Sequence, residues 1–148
     1  MGFLNWWQSE KDELEGSETQ MDLLGQSQEL APPRKRVDGA IVFRRFTKAI
    51  QANGGDEDAY QNSIVEETRE LFDCVVDELY QGTGAKRGRR NTLPQAAQEA
   101  YMVNESLSAN QLEQLEGTIG GDSQRDVNEH IQSVVKQQSQ RTRKWLPW

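Results

Sequence analysis

The chain has 148 residues, of which 34% are hydrophobic and 28% charged, and its formal net charge at pH 7 is -7. The single cysteine, Cys74, excludes an intramolecular disulfide. No apolar run is close in length to the about 20 residues that a transmembrane helix needs. Because the mean hydropathy is -0.87, we expect one compact domain with flexible ends. Without a basic-then-apolar leader, the sequence favours an intracellular protein, either cytoplasmic or, in a eukaryotic host, nuclear.

Residues 1–37 are predicted to form a disordered arm. The segment is acidic and rich in Gln, Ser and Glu, and it ends in "APPRKRV", where two prolines favour an extended backbone. Inside it, "MDLLGQSQEL" places Leu23 and Leu24 where a short amphipathic turn would form on a partner. Such a turn is too short to be a stable helix alone.

Residues 38–140 are predicted to form the bundle. Asp38 is a suitable N-cap for a first helix ending near Gly54. The stretch 56–84 is the clearest helical pattern and is predicted as one central helix, with a seam of Ile64, Leu71, Val75 and Leu79.

A basic loop then leads into the second half of the predicted bundle. Thr92 is expected to cap the next helix, whose buried stripe is Leu93, Ala97, Ala100, Tyr101 and Leu107. A separate short helix is expected over 108–117 and a last helix after Gly121, followed by a basic-aromatic tail, 141–148. No segment alternates at strand period, so the fold class is all-α, a small four- to five-helix bundle.

The residues that usually carry chemistry are scarce. His130 lies on the polar side of the last helix, and Cys74 has acids nearby, which raise rather than lower the pKa of a thiol. The sequence has neither metal-ligand spacing nor a phosphate-binding glycine motif. We therefore predict a protein that is not an enzyme and has no catalytic residue, metal or cofactor.

Two basic clusters have three interpretations. They comprise Arg34, Lys35, Arg36, Arg44 and Arg45 in the first block and Lys86, Arg87, Arg89 and Arg90 in the second. Such clusters bind nucleic acid, act as targeting signals, or neutralise the acidic stretch 56–80 within the fold. The second block precedes Thr92 in "RRNTLP", which makes Thr92 a candidate phosphosite as well as a helix cap.

All four tryptophans stand near the ends of the sequence, so we consider these ends as anchors for a partner. The candidate partner-binding residues are Phe3, Leu4, Trp6, Trp7, Leu23, Leu24, Trp145 and Trp148. They would fill a hydrophobic groove on a protein, insert at a membrane surface beside basic residues, or fold back to complete the core of the bundle.

The sequence therefore predicts a non-enzymatic regulatory or adaptor protein that binds a protein partner through its aromatic-acidic arm and charged helical surface. A nucleic-acid-binding regulator that uses the basic clusters is the first alternative, and a peripheral membrane protein is the second. The central helix has two apolar seams, so a homo-oligomer also remains open.

Overall fold

A computed structural model describes residues 2–15 and 32–148, with side chains for 2–12 and 39–148. These described residues form six α-helices, in order α1 Phe3–Glu15, α2 Pro32–Ala52, α3 Glu57–Phe72, α4 Val76–Thr83, α5 Gln95–Gln114 and α6 Gln124–Arg143. A 3-10 turn, Arg90–Thr92, lies between α4 and α5. The described ranges contain no strand, and the all-α prediction is confirmed, with six helices rather than four or five.

Four helices form a ring that is incomplete on one side. Helix α2 packs along α5, α5 along α6, and α6 along α3, whereas α2 and α3 meet over only a short stretch. No helix in the described ranges is long and apolar enough to cross a membrane.

The buried apolar residues form two clusters within this ring. One cluster joins α2, α3, α5 and α6 around Phe46, Ile50, Leu112 and Ile131. The other gathers residues of α1, α3, α4, α5 and the end of the sequence around Phe72. Since the second cluster draws on both ends, the folded unit is larger than the span 38–140 predicted for the bundle.

Part of the segment 1–37, predicted as a disordered arm, lies within the described residues, and that part is helical. Residues 3–15 form helix α1, whose Phe3 is completely buried against the second cluster. Helix α2 begins at Pro32 rather than near Asp38, as the first turn of a helix tolerates proline. Leu23 and Leu24 lie outside the described residues.

The predicted central helix is interrupted at Asp73, and the prediction of one helix over 56–84 is wrong. Asp73 adopts a left-handed backbone with φ of 55°, its N–H donates to the Arg69 carbonyl, and its carboxylate pairs with Arg143 at 3.1 Å. Helix α4 then starts afresh at Val76. Val75 consequently leaves the predicted seam and is 39% exposed.

The second half of the bundle follows the predicted stripe except at its end. Leu93, Ala97, Ala100 and Tyr101 are buried as predicted, but Leu107 is 43% exposed. Helix α5 continues through Ser108 to Gln114 without the expected break. Ser108 is therefore buried inside a helix rather than capping a new one.

Candidate functional site

The incomplete side of the ring holds a cavity of about 660 Å³. We call it the α2–α3 groove, bounded by residues 39–43 of α2, 60–65 of α3, 76–80 of α4, the loop 87–91 and 95–105 of α5. Its apolar wall includes Ala40, Ile64, Val65, Val76 and Met102. Cavities of this volume are typical of ligand sites, where apolar walls surround a few polar groups.

Arg90 and Glu105 provide the polar floor of the groove. The guanidinium of Arg90 lies 4.7 Å from the centroid of the Phe43 ring and 4.0 Å from that of Tyr101. Its Nη1 donates to Glu105 Oε1 at 2.7 Å. Because cation–π contacts and a short ion pair act on the same guanidinium, Arg90 is held rigidly in place.

Glu67 lies beneath this floor and is fully buried. Its Oε2 is 3.9 Å from Arg90 Nη2, and its Oε1 accepts from Asn104 Nδ2 at 3.0 Å. Burial, together with the nearby charge of Glu105, raises the pKa of Glu67 well above its ordinary value, despite the opposing charge of Arg90. We therefore assign Glu67 as the carboxyl that retains its proton to higher pH, beside the short contact between Arg90 and Glu105.

The network continues to α3 and α6 through hydroxyl and amide groups. Asn104 also donates to Ser139 Oγ at 2.9 Å, and the hydroxyls of Thr68 and Tyr101 are 2.6 Å apart. Burial is the largest cause of the raised pKa of Tyr101. Glu67 and Glu105 are no more than 1% exposed, so this arrangement orients and neutralises Arg90 and is poorly placed for proton transfer to a substrate.

Four buried polar atoms of the network have no hydrogen-bond partner among the described residues: Arg90 Nη2, Glu105 Oε2, Glu67 Oε2 and Asn104 Oδ1. Two belong to residues that line the groove, Arg90 and Glu105. Unsatisfied buried polar groups are rare in folded proteins and are concentrated at sites with a role beyond packing.

The basic residues predicted as a nucleic-acid or targeting surface have different environments. Arg44 and Lys86 are exposed, as are Lys48 and Arg89, and none has an ion pair among the described residues. Arg45 forms a two-pronged contact with Glu113 at 2.7 and 2.8 Å, and Arg87 pairs with Asp77 at 2.8 Å. Arg90 is bound to Glu105 and packs against the rings of Phe43 and Tyr101.

Of the two basic clusters, Arg87 and Arg90 of the second line the groove, whereas Arg44 and Arg45 of the first line a separate hollow with Glu113. Residues 34–36, of which the backbone is described, lie in the first turns of α2, just before the groove-lining Gly39. The loop segment 87–91 lines the opposite wall of the groove. The 4.7 Å contact between Arg90 and the Phe43 ring joins this loop directly to α2.

Thr92 closes the basic loop instead of capping α5. Its hydroxyl donates to the Arg89 carbonyl at 2.6 Å and accepts from the Lys86 N–H at 2.9 Å. Helix α5 begins only at Gln95, after Pro94. The predicted cap is therefore wrong, whereas the prediction of a phosphosite at this exposed hydroxyl stays a prediction.

Most of the aromatic residues near the two ends of the sequence pack against the bundle. Phe3 is buried and Trp148 is 8% exposed. Their rings lie 4.7 Å apart, and the Trp148 indole N–H donates to the Leu71 carbonyl at 2.7 Å. Leu4, Trp6 and Trp7 are partly buried against the same cluster. Trp145 differs, since 89% of its surface is exposed.

His130 and Cys74 do not line the groove. His130 is exposed on α6. Burial, followed by the charges of Glu78 and Asp73, raises the pKa of the Cys74 thiol to about 11. The described residues contain no cluster of three or more potential metal ligands.

Comparison with protein-family models, curated proteins and solved structures finds no match for this chain. The described residues form an all-α bundle with a groove between α2 and α3.

Sequence reasoning missed the two buried glutamates, although a signal for them exists. Glu67 lies three residues after Ile64 and four before Leu71, within an otherwise apolar stripe of α3. Glu105 lies four residues after Tyr101, on the buried stripe of α5. A lone acid at a core position of each of two helices predicts a buried charge pair that needs a cation.

Proposed function

We propose that the protein is a non-enzymatic adaptor or regulatory protein that binds a segment of a protein partner in the α2–α3 groove. The observation that supports this proposal is a groove of about 660 Å³ with partly exposed aliphatic walls and a rigid, charge-balanced floor. A groove between helices that leaves apolar side chains accessible is the usual receptor for an amphipathic helix.

The partner is still a protein, as expected from the sequence, but it binds in the α2–α3 groove rather than at the aromatic ends of the chain. Phe3 and Trp148 are packed in the core, so releasing them to bind a partner would expose the residues around them to water. Val65, by contrast, is already 37% exposed in the groove wall and needs no rearrangement to contact a ligand. Preformed apolar surface of this kind favours binding because little ordering is required.

The test is selection of peptides from a displayed random library with the full-length protein. Peptides that occupy the groove should bind the variant Val65→Glu at least about tenfold more weakly, because a carboxylate in the apolar wall opposes burial. The matched control is Val103→Glu, the same change at a 48% exposed valine of α5 that does not line the groove.

The proposal is contradicted if no peptide is enriched, or if the enriched peptides bind Val65→Glu and Val103→Glu equally. Circular dichroism of both variants establishes that they are folded, so a loss of binding is attributable to the groove. Both valines lie on accessible helix surface, where substitutions usually have small effects on the free energy of unfolding.

A further inference from the structure

We infer that the outer face of α2 binds the phosphate backbone of duplex nucleic acid at a second hollow, which lies between α2 and α5. This hollow has a volume of about 470 Å³ and is lined by Ile41, Arg44, Arg45, Lys48 and two alanines of α2 and by Glu113 of α5. We call it the α2–α5 hollow. The inference goes beyond the proposed function, because none of these residues lines the α2–α3 groove.

The side chains that line the α2–α5 hollow have an excess of positive charge, since three are cations and one is an anion. Arg45 donates to both carboxylate oxygens of Glu113, at 2.7 and 2.8 Å, so the one acid of the lining is already neutralised. Arg44 and Lys48 are exposed and form no ion pair with any residue that the structure describes. The hollow therefore keeps two uncompensated positive charges.

Helix geometry places these two cations side by side. Ile41, Arg44 and Lys48 follow one another at spacings of three and four residues, so they share one face of α2. Arg44 and Lys48 are one turn apart, or roughly 6 Å along the helix axis. Cations in such a row can contact neighbouring phosphates of one strand, and each contact releases counterions that were condensed on the nucleic acid. Neither side chain has to leave an acidic partner before it binds.

The lining favours a duplex over a single strand. Proteins that bind single strands use aromatic side chains on which the bases stack. The α2–α5 hollow has no aromatic lining residue, and its one large apolar side chain, Ile41, is 56% exposed. Contacts between cations and phosphates need no access to the bases and carry no sequence information. We therefore expect binding without sequence preference.

The same lining argues against an acidic protein segment as the ligand. Protein partners are held mainly by large apolar or aromatic anchors that fill a desolvated pocket. Ala49 is only 3% exposed, which leaves Ile41 and Ala52 as the accessible apolar side chains of the hollow. Exposed ion pairs between proteins contribute little to affinity. A polyanion whose binding is driven by counterion release fits this surface better.

The experiment measures the fluorescence anisotropy of a fluorescein-labelled DNA duplex of mixed sequence, titrated with the full-length protein at several salt concentrations. The test variant is Arg44→Gln with Lys48→Gln. The matched control is Lys136→Gln with Arg141→Gln, which removes one lysine and one arginine from exposed positions of α6, outside both cavities. The two double variants have the same net charge, so a difference between them reports contacts at the hollow. Circular dichroism establishes that both are folded.

The expected result is weak binding of the wild-type protein, with a Kd of about 10⁻⁶–10⁻⁴ M, that weakens as salt is added. The test variant should bind about tenfold or more weakly, and the control less than about threefold. Each phosphate contact contributes about 0.9 to the slope of log K against log salt. The slope should therefore become less steep by about 2 in the test variant and stay unchanged in the control.

The inference is overturned if the duplex does not bind at about 0.05 M salt, where phosphate contacts are strongest, or if the test variant keeps the wild-type slope. Equal weakening in the two double variants overturns it as well. Labelled oligothymidylate or polyglutamate that binds more tightly than the duplex, and depends on Arg44 and Lys48, shows that the ligand is a single strand or an acidic protein, and this also overturns it.

Failure of this inference is distinguishable from failure of the proposed function. The test variant leaves every lining residue of the α2–α3 groove intact, so peptides selected for the groove should bind it as they bind the wild-type protein. Val65→Glu should in turn leave the salt dependence of duplex binding unchanged, because Val65 does not line the α2–α5 hollow.

Discussion

The buried pair of glutamates gives a sharp prediction, because the same substitution should have different effects at two neighbouring carboxyls. Glu67→Gln replaces a protonated acid by a neutral group of nearly the same shape, which can still accept from Asn104. Glu105→Gln removes the carboxylate that neutralises Arg90 at 2.7 Å. The two variants make the same substitution at two positions that are both almost fully buried.

The expected magnitudes follow from these contacts. Exchanging a neutral acid for an amide should change the free energy of unfolding near pH 5 by no more than about 1 kcal/mol. Removing one member of a buried ion pair costs about 3–5 kcal/mol. Glu67 Oε2 is 3.9 Å from Arg90 Nη2 and can take over part of the pairing. We therefore expect the loss of unfolding free energy in Glu105→Gln to lie near the lower end of this range.

The pH dependence of stability supplies a second readout of the same assignment. With the pKa of Glu67 raised in the folded state, its contribution is fully present below its ordinary value of 4.5 and is lost as the pH rises through the raised value. In this window the unfolded chain releases a proton that the folded chain retains. Glu67→Gln should remove this decline, so that at pH 8 the variant is at least as stable as the wild-type protein.

The assay is urea denaturation followed by far-ultraviolet circular dichroism at several pH values between about 5 and about 8. The wild-type protein and both variants are compared at each pH. If Glu67→Gln destabilises the protein as much as Glu105→Gln, or if it keeps the wild-type decline with pH, then the assignment of the proton to Glu67 is refuted.

Two further predictions concern the end of the sequence and the cysteine. Trp148→Ala should lower the free energy of unfolding by about 3–5 kcal/mol, because it leaves a cavity at a buried site beside Phe3. Trp145→Ala should change the free energy of unfolding by less than about 0.5 kcal/mol, because Trp145 is 89% exposed. Urea denaturation measures both, and equal effects would contradict the packing described for Trp148. Alkylation of native Cys74 by iodoacetamide should be slow at pH 7 and should accelerate as the pH rises to about 11, where the thiolate forms. If native Cys74 is alkylated at pH 7 as fast as Cys74 in an unfolded control, the thiol is not shielded.

The sequence predicts the helical fold well where its apolar residues repeat at helical spacing. The buried stripe from Leu93 to Tyr101 is one such case. The break at Asp73 is different, because no glycine or proline marks it in the sequence. Asp tolerates the left-handed region better than most residues, and here its carboxylate is held by Arg143, a contact across 70 positions that no local pattern reveals.

The site was only partly predictable, because its central residue is indistinguishable from its neighbours in the sequence. Arg89 and Arg90 stand side by side in "AKRGRR", yet Arg89 is exposed and Arg90 is held by Glu105 and two rings. The difference depends on tertiary packing of α2 and α5 against the loop. Neutralisation of the acidic stretch 56–80 by the basic clusters was one of the three interpretations. The contact of Arg87 with Asp77 is of this kind, whereas Arg45 and Arg90 form their short contacts with Glu113 and Glu105, outside that stretch.

The contact of Phe3 with Trp148 also bears on the order in which the molecule assembles. It closes a loop of nearly the whole chain, and the entropy lost on closing a loop grows with its length. Helices α2, α3, α5 and α6 can pack through shorter loops, so they should form before α1 and the last residues join them. In the folded protein the reverse step is a partial opening that releases α1 while the four-helix ring stays intact, and amide protons of α1 should exchange with solvent sooner than those of α3.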